Sequence, residues 1–226
     1  MAASAPVADV GSLFSLKGKT AIVTGGTGGL GTAMTMALAS GGADIVSIEL
    51  PDDKGAQNLR DAIKQTGRKL SQYQCDVRTP KELRACYQKI WADGVKADIL
   101  LNCAGVQRRA EAAEFTDEDI DLVLDVNIKA TLVSCQEFAK PLLAEGRPGK
   151  IINIASIIRY FRTPMTTQYS EDPKYKDFND YILSRTPAKR WGEPSDLQGA
   201  VIFLASKASD YVSGTSIVVD GGFLGM

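Results

Sequence analysis

The apolar residues of this chain fall into two patterns: short β-branched runs and longer segments with helical spacing. Ala21–Val23 is the first such run. It is followed by glycines and then by Leu30, Met34 and Leu38 at positions i, i+4 and i+8. This order predicts a strand, a loop and a helix that ends at Gly41.

The alternation continues through the first two thirds of the chain. Further strands are predicted over 44–49, 69–75, 97–102 and 150–155. Helices are predicted over 54–66, from a capping box at 79–82, and from a cap at Thr116 to about Ala144. Alternation of this kind predicts parallel strands joined by helical crossovers, which is a Rossmann-like doubly wound α/β sheet. We therefore expect one domain over residues 17–226, preceded by a flexible N-terminal arm over residues 1–16.

The pattern changes after the fifth strand. Helices are predicted over 174–184 and from a cap at Ser195 to Ser206, and only one further strand is predicted, over 215–219. The sheet would then contain six strands, whereas a doubly wound fold of this kind is expected to have seven. The pattern therefore predicts a doubly wound fold from which one helix–strand unit is missing after the fifth strand.

Composition narrows the function classes. The 226 residues carry a net charge of −1 and no histidine, which excludes Ser-His-Asp hydrolysis and the usual zinc ligands and gives no footprint for nucleic acid. Four cysteines without CxxC spacing are typical of buried thiols in a reducing compartment and do not indicate a metal site. No run has the length to span a membrane, and the first fifteen residues do not read as a signal peptide. We expect a cytoplasmic protein.

The glycine-rich loop between the first strand and the first long helix is the first candidate site. Gly25, Gly29 and Gly31 allow a tight turn and let backbone N–H groups approach a pyrophosphate, which the positive end of the helix dipole also attracts. A simple turn would use glycines too. The position after a strand and before a helix favours a dinucleotide.

Two further positions follow from the order of strands. Glu49 ends the second strand, where a carboxylate can accept hydrogen bonds from ribose hydroxyls and repels a 2′-phosphate; this favours NAD over NADP. The alternative is a surface carboxylate at a strand end. Arg108 and Arg109 follow the fourth strand and could hold a sugar-acid carboxylate, although such a pair is also typical of a solvated loop.

Several motifs together resemble the short-chain dehydrogenase/reductase family. They are Thr24-Gly25-x-x-x-Gly29-x-Gly31, Asp76-Val77, Asn102-Cys103-Ala104-Gly105, Asn127, Ser156 and Asp220-Gly221-Gly222. Gln107-Arg108-Arg109 and Glu114-Phe115 are most similar to 2-deoxy-D-gluconate 3-dehydrogenases and gluconate 5-dehydrogenases. The resemblance implies reversible hydride transfer between NAD(H) and a secondary alcohol, with a sugar acid or polyol as substrate.

The resemblance also assigns roles to residues. It implies that Asn127 distorts its helix and holds a water in a proton relay, and that Ser156 hydrogen-bonds the substrate carbonyl or hydroxyl. The alternative for Asn127 is a structural asparagine that is hydrogen-bonded in the core, in line with Ile120 and Leu124. The alternative for Ser156 is a serine that only ends a strand. The implied cofactor-binding residues are Gly25, Thr27, Gly28, Gly29, Leu30, Gly31, Glu49, Asp76, Val77, Asn102, Ala104, Gly105 and Thr163.

The family's acid–base motif, Tyr-x-x-x-Lys, is absent from the sequence. None of the seven tyrosines has a lysine four residues later. Tyr169 lies thirteen residues after Ser156, the family's spacing, but Pro173 opposes a helix that continues from it. Tyr160–Met165 instead resembles the stretch after the family's sixth strand, so a contiguous unit is missing.

Three outcomes remain open: an impaired dehydrogenase, a non-catalytic NAD-binding protein, or a truncated splice product. Family members commonly form homo-oligomers through the missing helix, so assembly is in doubt. The fifth strand would also have an unpaired edge unless the last strand moves to it.

Overall fold

The computed structural model describes residues 9–156 and 160–225, and its centre is a parallel sheet. The strands are β1 (Thr20–Thr24), β2 (Asp44–Glu49), β3 (Leu70–Gln74), β4 (Ile99–Asn102) and β5 (Lys150–Asn153). Their order across the sheet is β3-β2-β1-β4-β5, and all four pairings are parallel. The reversal of strand order beside β1 is the feature of a doubly wound sheet.

Helices cover both faces of this sheet. They are α1 (Val10–Leu13), α2 (Gly29–Ser40), α3 (Ala56–Gln65), α4 (Pro80–Ala92), α5 (Asp117–Leu124), α6 (Ala130–Ala144), α7 (Thr167–Glu171), α8 (Lys176–Arg185) and α9 (Gln198–Ala205). One apolar cluster joins α2, α3 and α9 to the sheet, and a second joins α4 and α6 to the opposite face. Both faces of β1 and β4 are buried, which explains their continuous apolar sequences.

The prediction of a sixth strand over 215–219 is wrong. Within the described residues, this segment belongs to no ladder, and Ile217 and Val218 are exposed. Because an extended segment gains its backbone hydrogen bonds only from a neighbouring strand, the absence of the expected partner leaves it unpaired. It does not move to β5, whose second edge has no partner strand in the described part of the chain, and Ile151 is 42% exposed.

The long helix predicted from Thr116 is interrupted by a π-helical segment, Asp125–Lys129. Thr116 caps it as expected, since its side chain accepts a hydrogen bond from Asp119 N. The predicted apolar stripe is wrong at Ile120 and Leu124, which are exposed, so the face of α5 that carries them is not packed into the core. The buried face is instead formed by Val126, Ala130, Val133, Phe138 and Leu142.

A smaller apolar cluster forms within residues 160–225, separate from α9. Tyr160, Ile182, Trp191 and Phe223 pack together, with Tyr160 4.8 Å from Phe223 between ring centroids. The predicted helix over 174–184 is confirmed as a 3₁₀ turn followed by α8.

Three smaller expectations need correction. Thr79 makes no side-chain cap bond, although α4 begins at Pro80 as predicted. The capping box before α9 lies at Glu193 and Asp196, ahead of a 3₁₀ turn at Pro194–Leu197. Leu16, the last residue of the predicted arm, is buried in the core. Residues 1–8 of that arm lie outside the described residues.

Candidate dinucleotide site

The glycine-rich loop forms a tight turn against the end of β4. Gly25 has φ +70°, and a Cβ there would lie 2.7 Å from Ala104 N and Cα. A Cβ on Gly31 would collide with Gly25 O. A side chain is therefore excluded at both positions, and the loop stays in close contact with the β4 loop.

The N-terminus of α2 opens from this loop without a side-chain cap. Gly28 is the N-cap residue, and both Gly28 and Gly29 are exposed. The uncapped N–H groups and the helix dipole make this terminus suitable for an anion. A cradle of backbone donors that excludes Cβ atoms fits the pyrophosphate of a dinucleotide.

Thr163 lies over the same helix terminus. A Cβ on Gly29 would be 3.1 Å from the Cβ of Thr163 and 3.2 Å from Pro164 Cδ. Thr163 is held in place because its N–H donates to Thr166 Oγ1 at 3.0 Å. The segment that begins at Tyr160 thus reaches the glycine-rich loop, where the resemblance implied that Thr163 contacts a cofactor.

Glu49 lies at the end of β2 but is 6% exposed. Gln72 Nε2 donates to both of its carboxylate oxygens, at 3.1 and 3.2 Å, and Ser47 Oγ donates to Oε2 at 3.1 Å. The carboxylate is therefore buried, and the alternative of a surface carboxylate at a strand end is wrong. It places a buried negative charge at the carboxyl end of β2.

Asp76 and Val77 follow β3. Val77 is buried, whereas Asp76 is partly exposed and paired with Arg78, whose Nε donates to Asp76 Oδ2 at 2.8 Å. Hydrogen bonds from the Arg78 side chain are the main reason why the pKa of Asp76 lies below its usual value.

The Asn102–Gly105 segment ties the sheet to the loop. Asn102 is 4% exposed, and its Nδ2 donates to Asn153 Oδ1 at 2.9 Å, which links β4 to β5. Its Oδ1 is buried and has no hydrogen-bond partner among residues 9–156 and 160–225. Ala104 N donates to Thr24 Oγ1 at 3.3 Å. Asn102 therefore links β4 to β5 and fixes the start of the segment that carries Ala104 and Gly105.

Asn127 lies in the π-helical segment and is exposed, so the expectation of a buried amide is wrong. Its side chain is nevertheless fixed: Oδ1 accepts from Val106 N at 2.9 Å and Nδ2 donates to Val106 O at 3.0 Å. A cavity of about 350 Å³ opens beside it. Its lining includes Val106, Gln107, Arg108, Phe115, Val123 and Asn127.

The two arginines after β4 have different partners. Arg108 Nε donates to Asp119 Oδ1 at 2.8 Å. Arg109 Nη1 donates to Tyr169 Oη at 2.6 Å, and its guanidinium carbon lies 4.7 Å from the centre of that ring. The two guanidinium groups therefore do not form one binding site together. Of the two, Arg109 is the one that connects the β4 loop to α7. Helix α7 ends at Glu171, before Pro173, as the proline predicted.

Ser156 follows β5 and is exposed at the carboxyl edge of the sheet. The structure thus brings the glycine-rich loop, Ala104 and Thr163 together, and it brings Asn127 to the β4 loop. Among the described residues, no group of three or more Cys, Asp or Glu side chains could hold a metal ion. In that same part of the chain, no helix combines the length and apolar character that crossing a bilayer requires.

Two residues of this site were missed from the sequence. Gln72 holds Glu49, and Asp53 Oδ2 accepts from Thr27 Oγ1 at 2.7 Å. Polar residues at alternate positions of β2 and β3 are a signal that could have indicated Gln72, since they share one face of the sheet. The contact of Asp53 with Thr27 depends on a loop and left no sequence signal.

A family model described as "short chain dehydrogenase" matches residues 19–171. A second, described as "Enoyl-(Acyl carrier protein) reductase", matches residues 158–224. Among individual proteins, 2-dehydro-3-deoxy-D-gluconate 5-dehydrogenase of Escherichia coli is 37% identical, with 94% of this chain and 98% of that protein covered. Gluconate 5-dehydrogenase of Gluconobacter oxydans is 32% identical, with 93% and 96% covered.

Solved structures show the same fold. A putative 2-deoxy-D-gluconate 3-dehydrogenase from Agrobacterium tumefaciens with bound NADP has TM-score 0.84 at 34% identity, covering 95% of this chain and 99% of that one. A gluconate 5-dehydrogenase from Burkholderia cenocepacia in complex with NADP and tartrate has TM-score 0.86 at 30% identity, covering 96% and 99%. The E. coli alignment spans 251 positions, yet 94% of this chain is only about 212 residues. Part of that relative therefore has no counterpart here.

Proposed function

Because this chain belongs to the short-chain dehydrogenase/reductase family, we propose that it is a sugar-acid oxidoreductase polypeptide that binds a nicotinamide dinucleotide but has lost its proton-transfer residue. The observation that carries the proposal is a glycine cradle beside an uncapped helix terminus, in a sequence without Tyr-x-x-x-Lys. A bound nicotinamide dinucleotide supplies or accepts a hydride.

The residues of this chain supply binding and orientation. The N–H groups at the start of α2 would hold the pyrophosphate, and Val77 and Asp76 would border the adenine. Thr163, which lies against Gly29, would contact the nicotinamide end. Ser156 donates a hydrogen bond to the substrate oxygen, and Asn127 holds the β4 loop that borders the substrate.

Proton transfer is the step that this chain cannot supply in the family's way. A positioned acid–base group contributes roughly 10²–10⁴-fold to a rate. Since no tyrosine has a lysine on the same helix face, we expect turnover lower than that of the E. coli relative by about that factor. The rival proposal, a non-catalytic dinucleotide-binding protein, differs only in having no residual turnover.

A sugar acid is the substrate class that the relatives support. In this chain, the group that fits its carboxylate is Arg109, because Arg108 is paired with Asp119. A guanidinium that donates one bond to Tyr169 still has N–H groups for a carboxylate. We expect a molecule such as gluconate to bind there.

Calorimetric titration with NADH and NADPH, with an assay of gluconate oxidation, tests this function. Binding is expected together with turnover roughly 10²–10⁴-fold below that of the E. coli relative, and binding with no turnover at all favours the rival. Gly29→Ala places a methyl group against Thr163 at the helix terminus and should weaken dinucleotide binding roughly 10-fold, about 1.4 kcal/mol. Gly199→Ala is the matched control, because a Cβ there meets no neighbour in the first turn of α9. Failure to bind either dinucleotide, or turnover close to that of the relative, contradicts the proposal.

The choice between dinucleotides is the finer part of the proposal. We propose NAD(H), since the buried Glu49 carboxylate at the end of β2 repels a 2′-phosphate, whereas NADP is the molecule bound in related structures. Glu49→Gln removes this charge with little change in shape. It should raise the affinity for NADPH relative to NADH about 10-fold. Glu82→Gln, at the exposed start of α4, should leave that ratio unchanged.

Assembly is the second consequence of the missing unit. Ile120, Leu124, Ile128 and Leu132 form an exposed apolar row along α5, the π segment and α6. We propose that copies of this chain associate weakly through this row and that a stable tetramer does not form. Sedimentation velocity over a range of concentrations should show monomers and small oligomers, and a single tetrameric species contradicts this proposal.

A further inference from the structure

The side chain of Gln72 is the centre of a polar network between β2, β3 and α3. Gln72 lies in the middle of β3, directly beside Ser47 of β2, so the two side chains share one face of the sheet. Its Nε2 donates to both carboxylate oxygens of Glu49, at 3.1 and 3.2 Å. It also donates to the carbonyl of Ala56, the first residue of α3, at 3.0 Å. The amide therefore connects three elements.

The orientation of this amide is fixed by Arg60 on α3. Arg60 Nε donates to Gln72 Oε1 at 2.7 Å. A reversed amide would bring its oxygen against the Glu49 carboxylate and the Ala56 carbonyl, which are both acceptors. It would also bring its NH2 group against the N–H of Arg60, which is a donor. The surroundings of Gln72 are thus compatible with one orientation, in which Nε2 points at Glu49.

Glu49 depends on neutral donors for its charge. The buried carboxylate receives hydrogen bonds from Gln72 and, at 3.1 Å, from Ser47 Oγ. In the described part of the chain, neither Glu49 nor Arg60 forms an ion pair. A buried carboxylate that loses its donors bears the full cost of desolvation, so it turns toward water or becomes neutral. Gln72 provides most of the donor contacts that prevent this.

The network borders the proposed dinucleotide site. Glu49 ends β2, and Ala56 follows Gly55, where a Cβ would lie 3.0 Å from Thr27 Cβ in the glycine-rich loop. The repulsion between Glu49 and a 2′-phosphate depends on the charge of the carboxylate and on its distance from the phosphate. A carboxylate that is neutral or displaced therefore loses this repulsion.

We propose that Gln72 is a positioning residue that sets the choice between NAD and NADP, because it holds Glu49 as a fixed carboxylate, and that Arg60 acts through Gln72. This inference rests on the preference for NAD(H) proposed above. An amide that only joined β3 to α3 would change the affinity for both dinucleotides alike when it was removed. A positioning role changes the ratio of the two affinities.

Calorimetric titration of the full chain with NADH and NADPH tests the proposal. Gln72→Met removes the donors and retains the length of the side chain, so the affinity for NADPH relative to NADH should rise about 10-fold, as for Glu49→Gln. In the double variant, Gln72→Met should add no further change, since Gln72 acts through Glu49. Gln74→Met is the matched control, because Gln74 is exposed two residues further along β3.

Arg60→Met distinguishes an indirect role from a direct one. Because Arg60 fixes the amide, its loss should raise the affinity for NADPH relative to NADH about 3-fold, and only while Gln72 is present. A guanidinium that bound the 2′-phosphate itself would give the opposite sign. That result, or a ratio that responds to Glu49→Gln but not to Gln72→Met, would overturn this inference alone. A ratio that does not respond to Glu49→Gln would overturn the preference for NAD(H) as well.

A second measurement needs no dinucleotide. A water-soluble carbodiimide with glycine ethyl ester labels accessible carboxyl groups, and peptide mapping gives the rate at each. Gln72→Met should raise the labelling rate of Glu49 roughly 10-fold, because the carboxylate is no longer held, whereas Gln74→Met should not. Glu82, exposed at the start of α4, is the internal reference. With circular dichroism confirming that each variant is folded, unchanged labelling of Glu49 would overturn the proposal even in a chain that binds no dinucleotide.

Discussion

The part of the chain up to β5 and the part after it differ in how their backbone groups and apolar side chains are satisfied. Before β5, each strand except the outer ones pairs on both sides, and the core clusters cover both faces of the sheet. After β5, residues 160–225 contain helices but no ladder in the described chain, and the apolar segment 215–219 is exposed. The difference shows that the glycine-rich turn and the parallel sheet before β5 form without a further strand after β5.

The largest expected effect comes from restoring the missing unit. Insertion between Ser156 and Tyr160 of the corresponding segment of the E. coli relative should raise turnover on a sugar acid by roughly 10²–10⁴-fold, since it would return a positioned acid–base group. A steady-state assay measures the gain. The same insert with its tyrosine changed to phenylalanine is the control and should leave turnover at the level of the chain without the insert. A fully active control would show that another residue carries the proton.

The next effect compares the two regions by stability. Ile22 in β1 and Ile182 in α8 are both completely buried. Ile22→Ala should lower the free energy of unfolding of the sheet by about 2–5 kcal/mol, because the cavity lies among close-packed neighbours. Ile182→Ala should instead open only the small cluster around Trp191. Hydrogen exchange with mass spectrometry separates the two, and equal loss of protection in β1 and β4 for both variants would contradict the division.

The smallest effect concerns the ion pair after β3. The pKa of Asp76 is lowered chiefly by hydrogen bonds from Arg78, so the pair stabilises the fold above the unfolded pKa, about 3.9, and the contribution is lost as the pH falls through the folded value. Arg78→Gln should cost less than about 1 kcal/mol at neutral pH because the pair is partly exposed. Urea unfolding should show this difference vanish in acid. In an Asp76→Asn background the Arg78 substitution should have no effect at either pH.

Much of the fold could be predicted because its signals are local. Strand β2 was predicted to the residue, and the parallel order follows from alternation with helices. The stripe on the long helix failed at Ile120 and Leu124 because apolar spacing shows which residues share a helix face but not whether the fold buries that face. The π segment at Asp125–Lys129 contains Asn127, where only the family resemblance implied a distorted helix. The strand over 215–219 failed for a different reason, since a strand requires a partner that this chain does not provide.

The site, like the fold, has features that the sequence predicted and contacts that it did not. The glycine positions were predictable because a side chain at Gly25 or Gly31 is sterically impossible in that turn. The contacts of Thr27 with Asp53 and of Arg109 with Tyr169 were not, because they join residues that are far apart in sequence through loops. Asn127 was identified by its position in the motif, but its exposure was not foreseen.

The sequence by itself determined the strand–loop–helix unit, the family motifs and the absence of Tyr-x-x-x-Lys, because these depend only on residue types at fixed spacing. The tertiary structure alone decided that β5 has an open edge in the described part of the chain, that Glu49 is held by Gln72, and that Arg109 meets Tyr169. Those outcomes depend on which segments find a partner in space. Hydrogen bonding and burial stabilise such contacts, but the residues that make them show no periodic pattern in the sequence.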